Sequence, residues 1–306
     1  MTESQGEGDR YLIDRIRRGD TDSFSQLVDR YSGRLRAFAA RRLYGSGIDP
    51  EDAVQETLLG VLQSADRLDG VRSLQAYLFR ILRNKIVDLS RKRPEAHGVQ
   101  QIPLEVQDPA GEKRGLDPVS PVGTPSSYAR RGENIEIRNL VLAEILQETL
   151  SALKEERSFR DLKILELLFY GSITNREIAK IVGTSEPTVT RVKAAALEKL
   201  ARLASRHELT QQASLLDNED DTTHLIRRTW EENLLSCLKR STLGAHTLGS
   251  LDAEWSDYVV FHLETVGCDF CAANLADLAS EEEPISPGAR ERIFASSVGF
   301  LKKLQK

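Results

Sequence analysis

The chain has 306 residues, 40% of them apolar and 29% charged, with a formal net charge of −5. That length suits two or three small domains, and no run of about eighteen apolar residues is present to cross a bilayer. The three cysteines, an odd number, argue against a secreted disulfide framework and fit a reducing compartment.

The first ten residues, MTESQGEGDR, lack the apolar core of a secretory signal, so the expected location is cytoplasmic. Disorder is expected over residues 1–9. A short helix, Tyr11–Arg17, stops at Gly19-Asp20. Phe24, Leu27, Val28, Tyr31, Leu35, Phe38 and Leu43 then recur at helical spacing over about six turns. A third helix starts at DPEDAVQET, with Asp49 as N-cap and Pro50 in the first helical position. Its apolar stripe is Val54, Leu58, Val61, Leu62 and Ala65, while Asp52, Gln55 and Glu56 share another face. A loop over 65–72 leads to Ser73, which can cap a fourth helix, SLQAYLFRILRNKIVDLSRKR. Residues 72–93 carry a net charge of +6. Arg72, Arg80, Arg83, Asn84, Lys85 and Arg91, with Tyr77 and Phe79 nearby, suit single-stranded nucleic acid. Cations there track phosphates and aromatic rings stack on bases. A solvated basic face without a ligand is the alternative.

Residues 94–133 hold six of the ten prolines and five glycines, and no apolar period survives there. A flexible linker is expected. Helices resume with Ile137, Val141, Ile145, Leu146, Leu150 and Leu153, then Phe159, Leu162, Leu165, Leu168 and Phe169. TNREIAKIVGTSEPTVTRVKAAALEKLARL reads as a helix-turn-helix. Thr174 and Glu177 form a capping box, Gly183 permits the turn and Ser185 caps the second helix. Ile178, Val182, Val189 and Val192 fill the interior. The second helix would enter the major groove of DNA by its N-terminal half, presenting Ser185, Glu186, Thr188, Thr190, Arg191 and Lys193. A helical hairpin that binds no DNA is the alternative.

A polar second linker is expected at 207–222, before further helices with Trp230, Trp255 and Tyr258. Residues 207–306 carry a net charge of −8 against +3 for the rest, which suits a nucleic-acid-binding body with an acidic tail. All three cysteines lie in this tail. Cys237, His262, Cys268 and Cys271 make a closed set of four ligands that suits one structural zinc. Buried small cysteines beside a surface histidine, or a redox pair, are the other readings. Ser286-Pro287 opens a last amphipathic helix with Ile293, Phe294, Val298 and Leu301. No constellation for catalysis is apparent, and an enzyme is not expected.

The order of an acidic DPEDAVQET helix followed by the basic fourth helix resembles region two of bacterial RNA polymerase sigma factors of the extracytoplasmic-function group. Tyr77 stands where that family often has tryptophan. The helix-turn-helix resembles region four of the same family. Here Val192-Lys193 stand where the family usually has arginine then leucine, and Ala194–Ala196 replace a basic stretch. LDAEWSDYVVFHLETVGCDFC resembles the zinc-containing anti-sigma domain, with two residues more than its usual HxxxCxxC spacing. The resemblance implies an all-α protein in five parts: region two at 10–93, a linker at 94–133, region four at 134–206, a linker at 207–222 and a helical extension at 223–306. It implies a transcription initiation factor that binds the clamp and flap of core RNA polymerase, with Asp52, Gln55 and Glu56 on the clamp, and that binds promoter DNA. Its own extension, or a separate regulator, would control it. A helix-turn-helix regulator that is not a sigma factor is the competing expectation.

Overall fold

The computed structural model describes residues 3–65, 73–92, 105–107, 113–115, 141–170, 173–204, 219–280 and 285–305. Apart from a two-stranded antiparallel ladder, β1 (Glu105–Gln107) with β2 (Lys113–Gly115), the regular elements are helical. The ladder lies within the segment expected to be a linker.

The first bundle comprises α1 (Glu3–Arg17), α2 (Thr21–Arg42), α3 (Pro50–Gln63) and α4 (Leu74–Lys92). Helix α1 begins before residue 10, where disorder is expected. Its N-terminal part is fastened by Asp9, which accepts from the Tyr31 hydroxyl at 2.9 Å and pairs with Arg30 at 3.0 Å. Such a tether outweighs weak local propensity. Asp49 caps α3 by accepting from the Glu51 amide at 2.9 Å, and Ser73 caps α4 by accepting from the Ala76 amide at 3.2 Å. The stripe Val54, Leu58, Val61 and Leu62 is buried against Phe24, Leu27, Tyr31 and Phe38 of α2.

The second group comprises α5 (141–155), α6 (Phe159–Leu165), α7 (Asn175–Val182) and α8 (Glu186–Ala204). A π-helical turn, Glu166–Tyr170, continues α6. The capping box of Thr174 and Glu177 is formed, and Gly183 ends α7 at φ +70°. This left-handed conformation is one that glycine adopts without penalty.

The extension comprises α9 (Glu219–Asn233), α10 (Arg240–Thr247), α11 (Ala253–Val260), α12 (Asp269–Ala279) and α13 (Pro287–Leu304). A second π-helical turn, Phe261–Thr265, continues α11. Helix α9 starts at Glu219, inside the expected second linker. The extension shares one continuous hydrophobic core with both groups. Phe270 of α12 meets Phe79 edge-on at 4.6 Å, and Phe79 meets Phe38 at 5.3 Å. Phe294 of α13 meets Phe24 at 5.8 Å. Trp255 and Tyr258 of α11 both contact Phe159, at 4.9 and 5.3 Å.

The end of α13 closes on the turn after α1. Gln305 donates to the Gly19 carbonyl at 2.9 Å. Gly19 sits at φ +74°, and a Cβ there would collide with the Gln305 side chain and the Leu301 carbonyl. Gly19→Ala is therefore expected to cost at least about 1–2 kcal/mol, the penalty of a left-handed non-glycine residue. A lowered urea midpoint would show it; an unchanged midpoint would refute it.

Candidate metal centre and interaction faces

The four candidate ligands of the tail converge. Ligand atoms of Cys237, His262, Cys268 and Cys271 all lie within 4.8 Å of one another. Cys237 Sγ and Cys268 Sγ are 3.6 Å apart, and the cysteines are free thiols. Four ligands at about 2.3 Å from a tetrahedral zinc would set sulfurs about 3.8 Å apart, so the spacing fits. The Leu238 amide donates to Cys271 Sγ at 3.2 Å. His262 is 1% exposed, and its Nε2 has no hydrogen-bond partner. A buried, unpartnered ring nitrogen within a thiol cluster is one that a bound metal would satisfy.

Local backbone shapes deliver these ligands. Leu234 adopts φ +54° after α9 and turns the chain toward Cys237. The Trp230 indole, donating to Ser236 Oγ at 2.8 Å, fastens that turn. The two residues beyond the HxxxCxxC spacing are absorbed by the π-helical turn at 261–265 and by Gly267 at φ +66°. A π-turn inserts an extra residue without ending the helix.

The other ring nitrogen, Nδ1 of His262, lies 2.7 Å from Glu166 Oε1, and Glu166 is fully buried. Burial opposes charge on this ring, but Glu166 and the thiolates of Cys268 and Cys271 outweigh it and hold its pKa well above the ordinary value. Hydrogen bonds from Cys237 and Cys271 hold the Cys268 thiol well below its ordinary value. Lys154 of α5 reaches the same place, donating to the Ser236 carbonyl at 3.0 Å. Burial depresses its pKa, opposed by Glu166, Cys237 and Cys271. Sequence reasoning missed Glu166 and Lys154. Glu166 had a signal: a lone carboxylate between Ile164-Leu165 and Leu167-Leu168 must find a partner if buried.

On α3, Asp52 and Glu56 are exposed, and Glu56 pairs with Lys85 at 3.2 Å. Gln55 is half-buried and donates to Ser296 of α13 at 3.1 Å. One turn earlier, Glu51 accepts from the Ser286 amide at 2.8 Å and hydroxyl at 2.6 Å. Burial works against the Glu51 charge, but these bonds hold its pKa below the ordinary value.

On α4, Arg80 and Asn84 are exposed, as is Arg91. Arg72 lies outside the described residues. Arg83 donates to the Glu231 carbonyl of α9 at 3.0 Å. A cleft of about 260 Å³ between α4 and α9 is lined by Arg80, Arg83, Asn84, Arg227, Arg228, Glu231 and Glu232. Phe79 corrects the expectation of a base-stacking platform. It is fully buried between Phe38 and Phe270, because its position falls on the apolar stripe of α4. Tyr77 is half-buried, under the Arg80 guanidinium at 5.2 Å, and its hydroxyl donates to Ser64 at 2.6 Å.

On α8, Ser185, Glu186, Thr190 and Arg191 are exposed, and Thr188 and Lys193 are half-buried. Some of these hydroxyls are locally engaged: Ser185 with Thr188 at 2.9 Å, and Thr190 with the Glu186 carbonyl at 3.1 Å.

Comparison with known proteins agrees with this layout. Residues 27–94 match the family model for sigma-70 region 2, and residues 160–192 match a winged helix-turn-helix DNA-binding model. A segment similar to sigma-70 region 2 thus precedes one similar to a helix-turn-helix. RNA polymerase sigma factor NccH of Alcaligenes xylosoxydans xylosoxydans is 38% identical over 29% of this chain and 47% of its own. The extracytoplasmic-function sigma factor SigF of Caulobacter vibrioides is 37% identical over 28% of this chain and 47% of its own. The sigma-E factor of Salmonella typhimurium is 27% identical over 65% of this chain and 97% of its own. The chain therefore spans about half the length of the first two and nearly all of the third. No solved structure matches the chain.

Proposed function

We propose that the chain is a non-enzymatic initiation factor that brings core RNA polymerase to specific promoters and is held closed by its own extension. The observation that carries this reading is the position of α13 and α9. Helix α13 covers the side of α3 that carries Glu51 and Gln55, and α9 covers Arg83 beside the basic face of α4. In the open form, Asp52, Gln55 and Glu56 bind the clamp. Arg80, Arg83, Asn84, Lys85 and Arg91, with Arg72, track the displaced strand by its phosphates. Ser185, Glu186, Thr188, Thr190, Arg191 and Lys193 face the upstream duplex, where side chains on a recognition helix reach base edges. One zinc, held by Cys237, His262, Cys268 and Cys271, would stabilise the extension structurally; all four positions are filled by protein, leaving none open for catalysis.

Asp52→Lys with Glu56→Lys is expected to weaken core polymerase binding at least about tenfold, or 1.4 kcal/mol, with unchanged helical content. Unaltered affinity in a titration would remove these residues from the interface. Failure of the chain lacking 207–306 to support promoter-specific transcription with core polymerase would favour the helix-turn-helix regulator.

A further inference from the structure

The metal cluster is not built by the extension alone. The two π-helical turns among the described residues, 166–170 and 261–265, meet at the contact between Glu166 and His262. Glu166 belongs to the helix-turn-helix domain and His262 to the extension, 96 residues apart in sequence. The carboxylate is fully buried, and the ring nitrogen on the far side of the imidazole is the unpartnered one. A metal-bound imidazole must be neutral and must present one nitrogen lone pair. A carboxylate accepting the proton on the other nitrogen fixes that tautomer, fixes the ring plane and raises ligand basicity. Three thiolates and a divalent ion leave a net charge of −1, and Lys154 of the helix-turn-helix domain lies half-buried beside them, bonded to Ser236 next to the ligand Cys237.

We infer that Glu166 is a positioning residue for the metal site, so that the helix-turn-helix domain completes the outer shell of the metal held by the extension, and metal binding and docking of the extension on that domain favour each other. The inference rests on the metal reading above. Its direction follows from linkage: if docking raises metal affinity by some factor, metal raises docking by the same factor. In the undocked form, His262 loses Glu166 and the site loses its nearby ammonium, so the ligands are the same four but weaker. Docking also involves groups remote from the metal. Arg157 pairs with Asp252 at 2.8 Å and Glu254 at 3.1 Å, and Lys163 with Asp257 at 2.6 Å.

The test is a cycle of zinc affinities on the full chain, measured by competition with a chromogenic chelator. Glu166→Gln keeps the shape and an acceptor oxygen but removes the charge. Its zinc affinity is expected to fall about 10–100-fold, the usual effect of losing an outer-shell partner. Glu254→Lys with Asp257→Lys, which place like charges opposite Arg157 and Lys163 and touch no ligand, are expected to weaken zinc binding as well. In the Glu166→Gln background, that second loss should shrink, because only the Lys154 part of the link remains. A merely structural Glu166 would give additive losses. Equal affinity of Glu166→Gln and the unaltered chain, or additivity in the cycle, overturns the inference while leaving the metal reading intact. Absence of zinc binding by the unaltered chain overturns both. A cobalt-substituted spectrum of unchanged shape in Glu166→Gln is the expected sign that the same four ligands remain.

Discussion

Ile293→Asp with Phe294→Asp is expected to raise the affinity of the full chain for core RNA polymerase by about tenfold or more, the gain that follows when a minor open state becomes the dominant one. Ile293 is fully buried, and Phe294 packs on Phe24 of region two. A carboxylate at position 293 is buried among apolar side chains and costs several kcal/mol, and replacing the half-buried Phe294 removes its edge contact with Phe24. Intramolecular attachment works against release, since short flexible tethers hold modules at millimolar effective concentration. A carboxylate in the apolar centre of the contact together with the lost aromatic ring outweighs that advantage, whereas loss of a rim pair such as Arg42–Asp269, with both side chains part-exposed, would matter little. Both changes lie on α13 and alter neither the metal ligands nor Asp52, Gln55 and Glu56 themselves. Anisotropy titration against core polymerase checks the affinity, and run-off transcription checks the output. Equal affinities would mean that α13 does not guard α3.

The second large effect belongs to the metal. Elemental analysis of protein purified without added metal is expected to give about one zinc per chain. Chelation, or Cys268→Ser, is expected to lower the melting of the extension by tens of degrees. Structural zinc contributes about 10–16 kcal/mol of apparent binding free energy in small domains, and each kcal/mol moves the midpoint of a domain this size by about 4–8 °C. Part of that loss is offset here, because Trp230, Tyr258 and Phe270 anchor the extension on Phe169, Phe159 and Phe79 of the body. Calorimetry should resolve the early transition of the extension from the later one of region two. A zinc-free protein whose melting is indifferent to Cys268→Ser would remove the metal from the account.

Most helices were legible because burial repeats at helical spacing. Val54, Leu58, Val61 and Leu62 follow that rule and are buried, and the capping residues Asp49, Ser73, Thr174 and Ser286 start helices as their chemistry demands. The cluster of Cys237, His262, Cys268 and Cys271 was legible because thiols and imidazole are few and their chemistry is narrow. Three features were not. Phe79 was ambiguous because an aromatic ring serves equally as core or as stacking surface, and only its place on the helix decides. The start of α1 depends on Asp9 meeting Tyr31 and Arg30, a contact made across the bundle. The role of Glu166 depends on a partner 96 residues away, which no local pattern encodes. The last helix was visible as an amphipathic segment, but its destination on α3 was not, because an apolar stripe carries no address.

The extension and the body it covers are one polypeptide. A free inhibitor and its target can be made in unequal amounts, and the surplus sets the response. If the extension closes on the polymerase-binding faces as proposed, the ratio is fixed at one copy to one copy in every cell and at every level of synthesis. The share of molecules able to engage polymerase then depends on the closing equilibrium alone, not on dosage. Making more of this protein scales the number of active molecules in proportion and leaves no threshold to cross. A sharp response would have to come from the stimulus that shifts the equilibrium.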